Sequence, residues 1–291
     1  SAEPVEPNEA AARDAIDRAG RRNPATGARR AGERFGGGEW LKGEPPPGQP
    51  ALLHGVDGKT LYMPAGKVGL LAAPGGVGKT TILAQLAVSV ASGRAWFGTY
   101  PVARPGRVLF VLGEEDESNI DWLIWRATAA VVDSLEVRND RERAQVHNAV
   151  YANLYTQSVA GLGVAMDGNY HPELLAFLDS EKPFSLVILD PASRFFPAEA
   201  ETDNAAATRF IESLERLTQA NGNPTILFAH HTGKGGVNAT ESSQNDARGS
   251  SAIVDGGRWM ASLRRHRSVA GMPDRATLEV VKTNYGPAHA C

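Results

Sequence analysis

From residue 67 onward, the spacing of hydrophobic residues along the chain alternates between two patterns. Short runs that contain almost no polar residue alternate with longer stretches in which apolar residues recur every three or four positions. The short runs predict buried strands, and the longer spacing predicts amphipathic helices. The predicted strands are KVGLLAA (67–73), RVLFVL (107–112), SLVILD (185–190) and TILFAH (225–230).

Three helices are predicted between these strands. The first follows the strand at 67–73 and is expected to end at Ser92-Gly93, because glycine commonly ends a helix. The second covers ESNIDWLIWRATAAVV (117–132). The third runs from about Thr202 to Ala220, and the dipeptide Asn221-Gly222 is expected to end it.

The order of these elements predicts the fold class. Apolar strands that alternate with helices form a mostly parallel, twisted sheet with helices on both faces, which is an α/β fold. RWMASLRR (258–265) and TLEVVKT (277–283) are interpreted as a late hairpin or as edge strands. The order of the strands within the sheet does not follow from the sequence.

Residues 1–50 differ in composition from the rest of the chain. They are rich in Pro, Gly, Arg, Glu and Ala, although EPNEAAARDAIDRAG (6–20) could form a short helix. Such a segment buries too little apolar surface to fold alone, so we expect a flexible tail or linker there and a folded domain over 51–291. Alternatively, the segment is an arm that becomes ordered on a neighbouring subunit.

Composition excludes several classes of protein. The formal net charge of −3 leaves no globally basic surface, so any nucleic-acid contact must be locally positive. Cys291 is the only cysteine, which excludes an internal disulfide and a cysteine-based zinc site. No apolar run approaches the roughly 20 residues of a membrane span, and no signal peptide is evident. These features predict a cytoplasmic protein without a membrane partner.

A glycine-rich loop follows the first predicted strand. Residues 73–80 read A-P-G-G-V-G-K-T, which is the phosphate-binding loop pattern with alanine at its first position. Its glycines allow backbone N–H groups to point at phosphate oxygens, Lys79 is expected to reach the β- and γ-phosphates, and Thr80 to offer its hydroxyl to Mg²⁺. The alternative is an ordinary turn with a solvated lysine. The predicted nucleotide contacts are Pro74, Gly75, Gly76, Val77, Gly78, Lys79, Thr80 and Thr81.

Two acidic positions complete a candidate site for ATP and Mg²⁺. Asp190 ends the strand LVILD, where a second Mg²⁺ ligand is expected, although alone it could be a turn or cap residue. In many ATPases a glutamate that activates water directly follows this aspartate. Here the next residue is Pro191, so a different carboxylate must act as the base. Glu114, with Glu115 as the alternative, lies just past the second strand, and the carboxyl ends of parallel strands share one crevice. A solvated acidic turn would also explain this pattern.

Two adjacent histidines end the fourth predicted strand. One of them could sense the γ-phosphate and relay its loss into the following loop. A shared metal is disfavoured because neighbouring residues of a strand point to opposite sides. The remaining interpretation is that one of His230 and His231 is packed and the other solvated.

Several segments together resemble the plasmid-encoded RepA-type replicative helicases. In chain order they are APGGVGKTT, GEED, LVILDPASRFF, FAHHTGKG, ARGSSAIVDGGRW and VKTNYG, which span roughly residues 67–287. The combination of the paired histidines, RGSS and RW indicates this family more specifically than the phosphate loop does alone. The resemblance implies a RecA-like P-loop NTPase core that assembles as a ring hexamer, hydrolyses ATP at subunit interfaces and moves on single-stranded DNA.

The resemblance also implies roles for individual residues. Glu114 matches the catalytic glutamate, His231 the γ-phosphate sensor and Arg258 an arginine finger that reaches the neighbouring subunit's nucleotide. Lys282 is a second candidate to cross the interface. Arg126 is a candidate match to another arginine of the family, but its spacing differs and a surface salt bridge explains it equally well.

A polar loop at 232–249 would face the central channel of such a ring. Lys234 is the expected phosphate contact, with Arg248 behind it, although a plain surface loop has the same composition. The predicted function is an ATP-dependent DNA helicase or translocase of a plasmid, phage or mobile element, which works with a primase or other replication proteins. The alternatives are a RecA-like ATPase without unwinding activity, namely a recombination mediator, loader or regulator, and a nucleotide-binding interaction module.

Overall fold

A computed structural model describes residues 43, 48–134, 138–166, 168–196, 203–231, 251–266 and 275–285. The strands are β1 (Ala51–His54), β2 (Leu61–Pro64), β3 (Val68–Ala73), β4 (Arg107–Leu112), β5 (Leu154–Ser158), β6 (Phe184–Asp190), β7 (Thr225–His231), β8 (Trp259–His266) and β9 (Arg275–Thr283). The helices are α1 (Lys79–Ser92), α2 (Glu117–Val132), α3 (Asp140–Asn153), α4 (Tyr170–Ser180), α5 (Asn204–Leu217) and α6 (Ser251–Gly256), and a 3-10 turn covers Ala192–Arg194.

Seven of these strands form one sheet in the order β5-β4-β6-β7-β3-β8-β9. All neighbours in it are parallel except β8 and β9, which form an antiparallel pair at one edge. The last two strands, which the sequence predicts to be a late hairpin or edge strands, thus form an antiparallel pair at the edge of the sheet. Strands β1 and β2 form a separate antiparallel pair.

Helices cover both faces of the large sheet, as the alternation of elements predicts. Residues of α1, α2 and α3 pack against one face, and residues of α4, α5 and α6 pack against the other. Successive residues of a strand point to opposite faces, so β4 contributes Val108 and Phe110 to the first core and Leu109 and Val111 to the second. Burial of the central strands on both faces explains why they contain almost no polar residue.

The predicted elements agree with the structure, with boundary shifts of one to three residues. Helix α2 has the predicted limits, and α1 ends before Gly93, which adopts the left-handed conformation with φ of 72°. Helix α5 is shorter than predicted at both ends, because it begins at Asn204 instead of Thr202 and ends at Leu217 instead of Ala220. There the Thr218 hydroxyl donates to the carbonyl of Glu215, a local bond that competes with continuation of the helix.

Among the described residues, no helix combines the length and the hydropathy that crossing a lipid bilayer requires.

Phe110 provides a test of the central packing. Its side chain is fully buried in the middle of β4, so Phe110→Ala should lower the free energy of unfolding by about 3–5 kcal/mol, through lost burial and the cavity left behind. Tyr151→Ala is the matched control, because Tyr151 on α3 is 93% exposed and its loss should change stability by less than about 0.5 kcal/mol. Urea denaturation followed by circular dichroism measures both. Equal losses for the two variants would contradict this packing.

Candidate active site

The carboxyl ends of four neighbouring strands build the candidate site. In the sheet, β7 lies between β3, which leads into the glycine-rich loop, and β6, which ends at Asp190, while β4 follows on the far side of β6. The ends are level, because Ala73 pairs with His231 and Leu112 pairs with Asp190. Residues that are far apart in sequence therefore meet at one edge of the sheet.

The glycine-rich loop leaves its backbone open to a ligand. Gly76 and Gly78 have φ of 73° and 101°, which are positive values that glycine adopts without strain. A Cβ atom added to Gly75, Gly76 or Gly78 would meet nothing within 4 Å. Helix α1 begins at Lys79, so its first N–H groups and its positive end face the same space. This arrangement suits a phosphate group.

Lys79 is the main cation at this end of the sheet. Its side chain is largely buried, and Nζ lies 3.3 Å from Nδ1 of His231. Burial lowers the pKa of Lys79, whereas the nearby carboxylates of Asp190 and Glu114 act to raise it. His231 thus contacts the lysine of the loop. His230 points to the opposite side of the strand, where it is buried and contacts the Phe196 ring edge-on.

Asp190 and Thr80 provide two adjacent oxygen donors. The Thr80 side chain lies near the carboxylate of Asp190, which is buried. Burial raises the pKa of Asp190 to about 6, and the Thr80 hydroxyl and Lys79 oppose that rise. A hydroxyl and a carboxylate are ligands that Mg²⁺ accepts when phosphates and waters complete its shell. Within the described ranges no three His, Cys, Asp or Glu side chains cluster as metal ligands.

Backbone contacts fix the loop that carries Glu114. The N–H of Gly113 donates to the carbonyl of Asp190 at 2.8 Å, and the Ser158 hydroxyl donates to the carbonyl of Glu115 at 2.7 Å. Asp116 then caps α2 by accepting from the N–H of Asn119. Glu114 lines a cavity of about 300 Å³, and Glu115 does not line it. The other lining residues are Gly76, Gly78, Lys79, Thr80, Asp190, Pro191 and His231.

Arg194 is a residue of this site that the sequence analysis did not single out. Its guanidinium donates to Oε1 of Glu114 through Nε at 3.0 Å and Nη2 at 2.9 Å. The available signal was its position four residues after Asp190, but no spacing rule connects it with Glu114. The contact arises because β4 and β6 are neighbours, and the strand order could not be predicted.

Arg258 and Lys282 lie at the opposite edge of the sheet. The N–H of Arg258 donates to the carbonyl of Val68, the first residue of β3, and Lys282 pairs with Met260 near the start of β8. The length of β3 separates this edge from the glycine-rich loop by about 16 Å. The structure therefore does not bring these two residues together with Lys79 in one copy of the chain.

Both residues have partners at that edge. The Arg258 guanidinium lies 3.8 Å from the Glu215 carboxylate, and both side chains are nearly half exposed, so the pair contributes little to stability. Nζ of Lys282 donates to the carbonyls of Val254 and Asp255 at 2.8 and 3.0 Å, near the end of α6. Burial lowers the pKa of Lys282, and the Arg258 charge adds to that effect while Asp255 opposes it.

The remaining predicted residues fall in three places. Pro74 and Val77 are half-buried in the glycine-rich loop, and Thr81 is exposed in the first turn of α1. Arg126 is exposed on α2. Lys234 and Arg248, the predicted DNA contacts, lie outside the described residues.

Comparisons with known proteins agree with this fold. A protein-family model described as "AAA domain" matches residues 37–237. Among solved structures, a chain described as an "ATPase Domain" is similar, with a TM-score of 0.55 over 77% of this chain and 79% of that chain, at 13% sequence identity. At this identity the likeness shows the fold, which is that of a RecA-like P-loop NTPase. Because the family model spans more than half of the 291 residues, the chain belongs to the AAA-domain family.

Proposed function

We propose that this protein is an ATP-dependent DNA helicase or translocase, which forms a ring hexamer and acts in replication of a plasmid, phage or mobile element. The observation that carries the proposal is the single cavity shared by Lys79, Thr80, Glu114, Asp190 and His231. Family membership and fold support an ATP hydrolase. The resemblance of the sequence motifs to RepA-type helicases supports the ring and the DNA.

The glycine-rich loop would bind the triphosphate. The space around Gly75, Gly76 and Gly78 is open, so backbone N–H groups of this loop and of the start of α1 would be accessible to phosphate oxygens. Lys79 would contact the β- and γ-phosphates as a cation whose charge is only weakly screened, because its side chain is largely buried. Thr80 and Asp190 would hold Mg²⁺, which when bound neutralises developing charge on the phosphates.

Glu114 would accept a proton from the attacking water. As the oxygen of that water bonds to the γ-phosphorus, the bond from phosphorus to the β–γ bridging oxygen breaks, and ADP leaves with that electron pair. The anchored loop keeps Glu114 beside the cavity during this step. His231 lies beside Lys79 and would register the loss of the γ-phosphate.

Arg258 would act on the nucleotide of a neighbouring subunit. It lies at the amino edge of the sheet, with the length of β3 between it and its own glycine-rich loop. A planar guanidinium suits the charge spread over a transferring phosphoryl group. Its weak, exposed pair with Glu215 leaves it available for another anion, and Lys282 lies beside it.

The DNA contact is assigned to residues 232–249, which the sequence predicts to be a polar loop. These residues follow His231 directly in the chain, so a change at the γ-phosphate would pass into them. Lys234 and Arg248 would bind phosphates of single-stranded DNA without reading the bases. A primase or other replication proteins would be further partners, and the site of action would be the cytoplasm.

Lys79→Ala tests the nucleotide site. Loss of its charge-assisted hydrogen bonds should weaken binding of a fluorescent ATP analogue by about 10- to 100-fold, since such bonds contribute about 1.5–3 kcal/mol each. Lys59→Ala is the matched control, because Lys59 is exposed outside the site and its loss should leave affinity unchanged. Equal affinities for Lys79→Ala and the wild type would contradict the assignment.

Mixing two inactive variants tests catalysis between subunits. Arg258→Ala should bind nucleotide normally but lose at least about 100-fold in turnover, as arginine fingers do. When it is mixed with an equal amount of Lys79→Ala, a Lys79 site of one variant can face an Arg258 of the other. Random assembly should then restore about a quarter of the wild-type ATPase rate. No recovery on mixing would contradict a role for Arg258 in the neighbouring subunit.

The steady-state ATPase rate tests the DNA motor. With Lys79→Ala as the blank, the wild-type rate should rise with single-stranded DNA and with protein concentration, and the stimulation should weaken as salt increases. A forked duplex should be unwound under the same conditions. A rate that is indifferent to DNA would contradict the helicase proposal and favour a RecA-like mediator, loader or regulator.

A further inference from the structure

We propose that Arg194 is a positioning residue that orients Glu114 for deprotonation of the attacking water. The inference rests on the proposed ATPase activity and adds a residue to its machinery. Arg194 follows β6 in the 3-10 turn, four residues after Asp190. Glu114 follows β4, so the two side chains meet across neighbouring strands.

The pair has a geometry that fixes one carboxylate oxygen. Both Nε and Nη2 of Arg194 bind Oε1 of Glu114, at 3.0 and 2.9 Å. The second oxygen, Oε2, keeps its acceptor capacity for a water molecule in the cavity that Glu114 lines. A flexible glutamate held in this way loses fewer conformations when it reaches the reactive geometry.

Gly113 gives the arginine access to this position. A Cβ atom on Gly113 would lie 2.6 Å from both Cβ and Cγ of Arg194, closer than non-bonded carbon atoms can approach. The stem of Arg194 therefore packs directly over the backbone that precedes Glu114. The N–H of Gly113 also donates to the backbone carbonyl of Asp190, so this bond ties the loop that carries Glu114 to the end of β6, just before Arg194.

Stability does not account for this arrangement. The two side chains are 56% and 45% exposed, and ion pairs at such exposure contribute little to folding. The charges around Glu114 favour a role in the site instead. Glu114 and Glu115 both act to raise the pKa of Asp190, so the carboxylates repel one another. Arg194 places a positive charge beside Glu114, which offsets this repulsion between the carboxylates.

The test is a set of steady-state ATPase measurements on the full chain. Arg194→Ala should lower kcat by about 10- to 100-fold and leave KM within about twofold, because Glu114 does not bind the ground state. Arg194→Lys should recover part of the loss, since one ammonium replaces two guanidinium donors. Gly113→Ala should reproduce the kcat effect by displacing Arg194.

The background Glu114→Gln shows whether Arg194 acts through Glu114. In that background, measured by single turnover, Arg194→Ala should have no further effect. Arg143→Ala is the matched control, because Arg143 is a similarly exposed arginine paired with Asp133 and its loss should leave kcat unchanged. Thermal unfolding of each variant verifies that it is folded.

Several results would overturn the role of Arg194. If Arg194→Ala raised KM and left kcat unchanged, Arg194 would be a nucleotide-binding residue. If Arg194→Ala raised kcat, the ion pair would restrain Glu114 instead of orienting it. Full additivity with Glu114→Gln would mean that Arg194 acts independently. If the wild type hydrolyses ATP and Arg194→Ala does so at the same rate, only the positioning role is rejected. If the wild type hydrolyses no ATP, the proposed function and this role are both rejected.

Discussion

The site depends on the insertion of one strand, β7, between the strand that leads into the glycine-rich loop and the strand that ends at Asp190. Adjacent strands lie about 4.8 Å apart, so β3 and β6 are separated by roughly 10 Å. The end of β7 thus lies between the start of the glycine-rich loop and Asp190. Since β7 ends level with β3, its last residue, His231, lies beside Lys79. Strand order therefore determines which residues meet at the site.

Burial gives these side chains their electrostatic character. Lys79 and Asp190 are both largely removed from water, and burial shifts the pKa of each towards its neutral form. Each opposes the shift of the other, because Asp190 acts to raise the pKa of Lys79 and Lys79 acts to lower that of Asp190. The negative charge of Glu114 acts to raise both pKa values, which favours the charged form of Lys79 and the neutral form of Asp190. Its pairing with Arg194 therefore affects the whole charge balance at this edge of the sheet.

Local patterns in the sequence predicted the elements that are buried on both faces. The four strands with continuous apolar runs lie at or near the predicted limits, whereas α3 and β5 were not predicted. Helix α3 buries only Val146 and Val150, and β5 has a largely exposed sequence, so neither carries a strong apolar period. The pair β1 and β2 and helix α4 were also not predicted. Residues at strand ends could be placed in one crevice, but the contact of Arg194 with Glu114 depends on strand order, which no local pattern specifies.

The two edges of the sheet divide the proposed catalytic groups. The carboxyl edge carries the glycine-rich loop and the carboxylates, and the amino edge carries Arg258 and Lys282. If Arg258 serves a nucleotide, that nucleotide belongs to another copy, and each copy presents unlike surfaces to its two neighbours. Such head-to-tail contacts close into a ring or continue as a filament, depending on the rotation between copies. In either assembly each interface would then carry a complete set of groups, so hydrolysis at one interface would act on two subunits at once. A motor on DNA requires that coupling, and the position of Arg258 at the amino edge would provide it.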